Sequence, residues 1–164
     1  MTAPPKTGLD QRPRRRPSKP GTPIVIGWRE RVALPELGLG MIEAKIDTGA
    51  RTTALHASNI RSFEQDGAPW VEFHPEHDRL DAARLCRLPV HDRRAITNTG
   101  GVPEDRIIIR TRLLIAGHRL RIEVSLADRA DMAFPIIIGR TALRRGKLLV
   151  DSGHSWLTNP QKGT

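Results

Sequence analysis

Asp47-Thr48-Gly49-Ala50 closes an apolar stretch in "AKIDTGARTTALHA", residues 44–57. A strand that only had to turn could do so with Asn-Gly or Asp-Gly. A carboxylate followed by a hydroxyl, a glycine and a small residue sets an acid–base group beside a backbone with no Cβ to hold a ligand away. The tripeptide also has a plain reading, because Asp in a turn commonly bonds the backbone ahead of it. What weighs against the plain reading is the order of the segments that follow. A Gly-rich tip runs from Thr97 to Val102 and contains Asn98, Thr99, Gly100 and Gly101. A hairpin then turns at Gly117-His118, and "PIIIGRTAL", residues 135–143, carries Ile138-Gly139-Arg140.

These residues must be positioned by strands. Ile24 to Arg31 reads as a first strand, followed by a turn around Pro35 and Gly38. "GMIEAKID" alternates through Ile42, Ala44 and Ile46 and ends at Asp47. "TTALHASNIR" is a short helical turn or a third strand. Val71 and Phe73 mark a strand in "PWVEFHPE". "DAARLCRLPVHDRR" is ambiguous, although Leu85, Leu88 and Val90 suit a strand. "TNTGGVPED" is a turn cluster. Ile107–Ile115 and Arg119–Leu126 pair about the tight "AGH" turn. "FPIIIGRTALRRGKLLVD" gives a short buried strand, a helical turn and a closing strand from Lys147 to Val150. Many short strands at regular spacing predict an all-β barrel or sandwich. No internal repeat or long amphipathic helix is visible.

A chain of 164 residues allows one domain. With three Trp, three Phe and no Tyr, the core must be mainly aliphatic; Trp28, Trp70 and Trp156 are expected to fill it. One cysteine, Cys86, excludes an intrachain disulfide and fits a reducing compartment. Its expected role is that of a small buried side chain on a strand. No apolar run approaches a membrane span, and the N-terminal segment lacks the apolar centre of a secretory signal. The expectation is a soluble cytoplasmic protein. More than half of the net +9 comes from Lys6, Arg12, Arg14, Arg15, Arg16 and Lys19 set against Asp10 alone. Residues 1–21 are expected to form a disordered basic Pro/Arg-rich tail, residues 22–158 the domain, and residues 159–164 a C-terminal tail. Any nucleic-acid contact is expected to be non-specific, through the basic tail.

The order of these segments resembles the retropepsin family of aspartic proteases. From about Thr22 to Trp156 the chain is similar to the bacterial retropepsin-like group long labelled "ATP-dependent zinc protease". The residues that carry the likeness are "IDTGARTTALHA", "DRRAITNTGG", "IRTRLLIAGHRLRIEVSLADR" and "FPIIIGRTAL". The resemblance implies an all-β acid-protease fold, a retropepsin-like closed barrel with one short helix and half a catalytic site per chain. It implies an aspartic peptidase in which Asp47, Thr48 and Gly49 form the catalytic loop, and a homodimer joins two Asp47 side chains. Thr48 would stiffen the loops across the dimer axis. Ala50, Arg51, Asn98, Thr99, Gly100 and Gly101 would bind substrate, the last four on a flap. Ile138, Gly139 and Arg140 would support the site from beneath. No cofactor and no metal are expected.

Two departures matter. Retropepsins often place an Asp after Asp-Thr-Gly-Ala to pair with the Arg of the Gly-Arg segment; here that position is Arg51. Arg140 must therefore bond Asp128, Asp131 or a backbone carbonyl. Asp47 and Gly139 also lie 92 residues apart, with the excess between Asn59 and Arg94, where it could cover the cleft. A cleft bearing Arg51, with Asp92–Arg94 near the flap, would favour acidic peptides; the resemblance, which brings an association with glutamate-ligase systems, implies glutamate-tailed peptides as one candidate.

Other function classes have weaker sequence support. A peptide-binding module of the same fold would lack catalysis. A zinc peptidase would draw on His74, His77, Cys86 and His91, but no His-Glu-x-x-His motif is present. The His residues are expected instead at the surface or in hydrogen bonds. No phosphate-binding Gly-x-x-x-x-Gly-Lys loop supports ATP use. A nucleic-acid-binding barrel would need interleaved aromatics, which the sequence lacks.

Overall fold

A computed structural model describes residues 21–76, 84–98 and 100–158. The tails expected before Gly21 and after Thr158 lie outside the described residues, as does Thr99. The strands are β1 (Ile24–Gly27), β2 (Arg29–Leu34), β3 (Leu39–Ile46), β4 (Thr53–Gln65), β5 (Ala68–Pro75), β6 (Cys86–Pro89), β7 (Asp92–Thr97), β8 (Pro103–Ile115), β9 (His118–Ala127), β10 (Ile136–Ile138) and β11 (Leu148–Asp151). One short helix, α1 (Arg140–Arg145), separates the last two, and Pro35–Leu37 forms a 3-10 turn. The fold is all-β with one helix, as expected.

Strand alternation builds the core. In β2 the buried residues are Glu30, Val32 and Leu34, and in β3 they include Ile42, Ala44 and Ile46. From β8 come Ile109, Leu113 and Ile115, with Ile122, Val124 and Leu126 from β9. Phe73 is the only aromatic residue in this cluster, so the interior is nearly all aliphatic. The tryptophans depart from expectation: none lies in the core. Trp28 meets the edge of Phe134, Trp70 lies against Phe63, and Trp156 lies under the guanidinium groups of Arg29 and Arg31.

The large sheet follows the order β10-β3-β2-β8-β9-β4-β5-β6, with β7 on β8. Because β10 also pairs with β4, the pairings run round a ring of strands. Its β2–β8 seam has a single register pair, Ala33 with Leu114, so we describe it as a sheet bent back on itself. The β8–β9 turn is tight: Ala116 and Gly117 both have positive φ, 51° and 75°, which suits a two-residue hairpin.

The single strand expected from Ile24 to Arg31 divides at Trp28. β1 pairs in parallel with β11, while β2 enters the large sheet. The chain must pass close to the C-terminal segment at this point. A Cβ on Gly27 would come within 2.6 Å of the His154 carbonyl oxygen. Glu30, fully buried, holds the corner together. Its carboxylate accepts from the backbone N–H of Gly27 (2.8 Å) and Leu157 (2.9 Å) and from the Thr158 hydroxyl (2.9 Å). A buried carboxylate is tolerated where donors surround it in this way.

Among the described residues, no helix is long and apolar enough to cross a membrane.

Candidate active site

β10 lies between the strand that enters the Asp47 loop and the strand that leaves it. It pairs in parallel with β3, Ile138 opposite Ile46, and antiparallel with β4, Ile136 opposite Leu55. The loop is therefore clamped at both ends by one short strand. The Asp47 N–H donates to the Ile138 carbonyl at 2.9 Å, and the Gly139 N–H donates to the Thr53 hydroxyl at 3.1 Å. Gly139 passes directly beneath the loop. A Cβ there would stand 2.7 Å from the Thr52 carbonyl carbon and 2.9 Å from the Arg51 oxygen. Only glycine fits so close to backbone.

The start of α1 continues this clamp. The Arg140 N–H donates to the Ala50 carbonyl (2.7 Å), and the Thr141 N–H and hydroxyl donate to the Arg51 carbonyl (3.1 and 2.9 Å). The Arg140 guanidinium donates to the carbonyls of Thr48 and Gly49. Of the partners expected for Arg140, the backbone carbonyl is the one found; Asp131 bonds Arg129 instead. Within the loop, the Gly49 N–H donates to Asp47 Oδ1 at 2.9 Å, which fixes one carboxylate oxygen and leaves the other to a ligand. Thr48 is exposed.

A cleft of about 670 Å³ opens beside this loop. Asp47, Gly49, Ala50 and Arg51 line one side, and Arg94 to Asn98 line the side beneath the β7–β8 hairpin. Of the insertion between Asn59 and Arg94, Arg94 at its end lines the cleft, residues 77–83 lie outside the described residues, and the strands of its first part lie elsewhere. They extend the sheet through β5 and β6 instead.

The flap is ordered by its own side chain. Asn98 Oδ1 accepts from the N–H groups of Gly100 (3.0 Å) and Val102 (2.9 Å), while its amide donates to Glu104 (2.8 Å). Asn98 thus shapes the tip, and Gly101 takes a left-handed φ of 79° there. Gly100 and Gly101 are exposed at the tip, and Thr99 lies outside the described residues.

The cleft is rich in arginine. Arg51, Arg94, Arg106 and Arg129 line it, with Glu123 and Asp47 as the acids. Arg94 donates to Glu123 (2.7 Å) and Asp92 (2.7 Å), which hold its proton more tightly than usual. The same bonds, Arg94's first, keep the Glu123 and Asp92 carboxyls below their ordinary range. Arg106 is only 7% exposed and pairs with Glu104 at 3.1 Å. Asn98 first, and then Arg106, lower the Glu104 carboxyl. Arg129 takes both oxygens of Asp131. Arg106, Glu123 and Arg129 were not singled out from the sequence; each is one charge in a basic chain until the strands are in register.

The histidines and the cysteine do not gather. His74 Nδ1 lies 2.9 Å from the Arg84 carbonyl, the Cys86 thiol faces the Leu37 carbonyl, and His91 bonds Glu123. His77 lies outside the described residues. No group of three potential metal ligands occurs among the described residues. Burial pushes the Cys86 thiol up, as suits an inert core side chain.

The loop, the glycine beneath it and the flap agree with a match along the sequence. Residues 25–161 match the RimB-like family, described as retropepsin-like aspartic endopeptidase RimB. The chain belongs to this family. Sequence similar to this chain also occurs within longer proteins. The chain is 37% identical over 140 residues to a "Probable alpha-L-glutamate ligase" of Shewanella halifaxensis, covering 84% of the chain and 30% of that protein. Proteins of the same name from Desulfotalea psychrophila and Parasynechococcus marenigrum are 39% and 40% identical, with 77% and 78% of the chain and 28% of each protein covered. The chain thus spans under a third of the curated relatives it matches. The crystal structure of Lpg0085 from Legionella pneumophila, a protein of unknown function, has a fold similar to this one. Its TM-score is 0.68 at 24% identity, covering 84% of this chain and 99% of that one.

Proposed function

We propose that the protein is an aspartic-type peptidase that acts as a homodimer, with Asp47 of each copy at a shared centre and an acidic polypeptide as substrate. The observation that carries the reading is the rigid presentation of one carboxylate, Asp47, at the edge of an extended cleft. One oxygen is held by Gly49, and the loop is clamped through Ile138, Gly139 and Arg140.

Two carboxylates brought together at a two-fold axis share one proton. The ionised Asp47 takes a proton from water as the oxygen attacks the peptide carbonyl carbon. The protonated Asp47 gives its proton to the carbonyl oxygen. The tetrahedral intermediate then breaks its C–N bond as a proton returns to the leaving nitrogen. No covalent enzyme intermediate is needed.

A single chain supplies one such carboxylate, so the reading requires a second copy. Val25 and Leu149 support a place for it. They are register partners in the β1–β11 sheet and stand 50% and 55% exposed. A shallow recess beside them is lined by Thr48, Arg140, Leu143 and Leu148–Val150. An apolar surface that adjoins the Asp47 loop is where a partner must sit if two loops are to meet.

The preference for acidic chains rests on the four arginines of the cleft. The glutamate-ligase names of the longer relatives fit it: a peptidase segment within such a protein would meet glutamate-rich chains. The test is hydrolysis of neutral and glutamate-tailed peptides, followed by mass spectrometry. Wild type would run beside Asp47→Asn, with and without chelator. Loss of cleavage in Asp47→Asn with no chelator effect is expected. Cleavage that survives Asp47→Asn would overturn the reading, and chelator-sensitive cleavage would favour a metallopeptidase.

A further inference from the structure

The face of the β8–β9 hairpin that lines the cleft does not end at the cleft. Alternation puts Arg106, Ile108, Arg110, Arg112 and Leu114 of β8 on one face; on β9, Ser125 stands opposite Ile108, Glu123 opposite Arg110, Arg121 opposite Arg112 and Arg119 opposite Leu114. Arg106, Ser125 and Glu123 belong to the cleft. Beyond them Arg110, Arg112, Arg119 and Arg121 are all exposed. Arg112 and Arg121 are direct cross-strand partners, an arrangement in which like charges repel. Among the described residues, the one acid bonded to this group is Glu36, 3.4 Å from Arg121 and at the outer edge of a hydrogen bond, while Glu123 stands opposite Arg110. A small recess of about 110 Å³ links the two regions. It is lined by Arg110, Arg121 and Arg145, and it shares Thr52, Glu123 and Thr141 with the cleft.

We propose that this outer face of β8–β9 is an exosite that holds the acidic stretch of a polypeptide whose scissile bond lies in the cleft. The proposal rests on the reading of the cleft as a peptide site. Same-face side chains of an extended chain recur every ~7 Å, so a run of carboxylates laid along the hairpin meets guanidinium groups at matching intervals. Each fork accepts a carboxylate in two parallel bonds. An anion lying between Arg112 and Arg121 would also remove their mutual repulsion. Among the described residues, no aromatic side chain lines the recess or the cleft to offer a platform for stacked bases, so a carboxylate chain suits the face better than single-stranded nucleic acid.

The test uses the full chain carrying Asp47→Asn, so that ligand is not consumed. The probes are a fluorescent polyglutamate peptide long enough to leave the cleft, a two-glutamate peptide and an RNA oligonucleotide. Arg112→Gln/Arg121→Gln is expected to weaken the long peptide by about tenfold or more, with a flatter salt dependence, and to leave the short peptide unaffected. Arg110→Gln/Arg119→Gln, a second pair on the same face, should repeat the result; circular dichroism confirms that both fold. In the active background the same changes should raise KM for long substrates and spare kcat. Unchanged affinity for the long peptide overturns the exosite. So does RNA that binds more tightly and is lost in the same variants, which would mark a nucleic-acid surface. If wild type hydrolyses nothing but the arginine-dependent binding persists, the peptidase reading falls and the face remains only a binding surface for acidic chains, which overturns its role as an exosite.

Discussion

The Arg140 guanidinium donates to the carbonyl oxygen of Gly49, 91 residues earlier in the chain, at 3.0 Å. The same nitrogen reaches the Thr48 carbonyl at 3.1 Å. With Arg51 rather than an acid after Ala50, the loop's own backbone serves as the acceptor. Replacing Arg140 by Ala should cost about 1 kcal/mol, since the contact is partly open to solvent. The effect on peptide hydrolysis should be larger, because the carboxylate loses its fixed position. Urea midpoints and kcat measured on the same samples check both. Arg140→Lys should recover stability better than kcat, because a lone ammonium cannot reproduce the planar donor.

Gly139 and Gly49 separate stability from chemistry. Ala at 139 would drive its Cβ into the backbone of Arg51 and Thr52, which has no room to yield. A loss of about 2–4 kcal/mol is expected, visible as a lowered Tm. Ala at 49 would meet only Asp47 Oδ1, at 3.1 Å. Its expected result is near-normal melting with hydrolysis reduced at least tenfold, as the carboxylate is turned from its place.

Glu30→Ala should be among the most damaging substitutions outside the cleft. It would leave the N–H groups of Gly27, Leu157 and Thr158 without their buried acceptor, at about 3 kcal/mol or more. Glu30→Gln keeps an acceptor oxygen and should cost less. Amide exchange at Leu157 and Thr158 distinguishes a local release of this segment from global unfolding.

The Arg94 cluster gives a signed pH dependence. Arg94 holds the Glu123 and Asp92 carboxyls below their ordinary values. A carboxyl lowered by folding contributes fully above its unfolded pKa of about 4 and loses that contribution as pH falls through the lower folded value. Arg94→Met should therefore be less stable than wild type at neutral pH, with the two converging in strong acid. Thermal melts from neutral to acid pH test this. A gap that stays constant would assign the effect to packing of the arginine stem.

Much of the site could be read before folding because it is contiguous in sequence. Asp47-Thr48-Gly49 and Ile138-Gly139-Arg140 are unbroken segments, and the glycine in the second is demanded by close backbone approach. The cleft arginines are different. Arg94 and Arg106 become neighbours only through the β7–β8 register, and Glu123 joins them through β9. The alternation of charge in "IRTRLL" was the available signal for a basic face. Glu30 also had a signal: two residues before Val32 and four before Leu34, it shares their inward face. In "WRER" its charge reads as exposed, and only the C-terminal backbone that surrounds it explains its burial. The tryptophans stay out of the core for a related reason. The ring of strands is filled by aliphatic side chains, and Trp28 and Trp156 instead lie against Arg29.

The parallel pairing of β1 with β11 has a consequence for how such a unit is joined to others. Ile24 stands beside Leu148 and Gly27 beside Asp151, and Trp156 then bonds back to Arg29. Because the two strands run the same way, the first residue of β1 and the last residue of β11 stand at opposite ends of this two-stranded sheet. Chain joined before β1 and chain joined after β11 would therefore meet the unit at different ends of the same two strands. The longer relatives, in which the matching segment makes up under a third of the polypeptide, are the kind of assembly in which that separation matters.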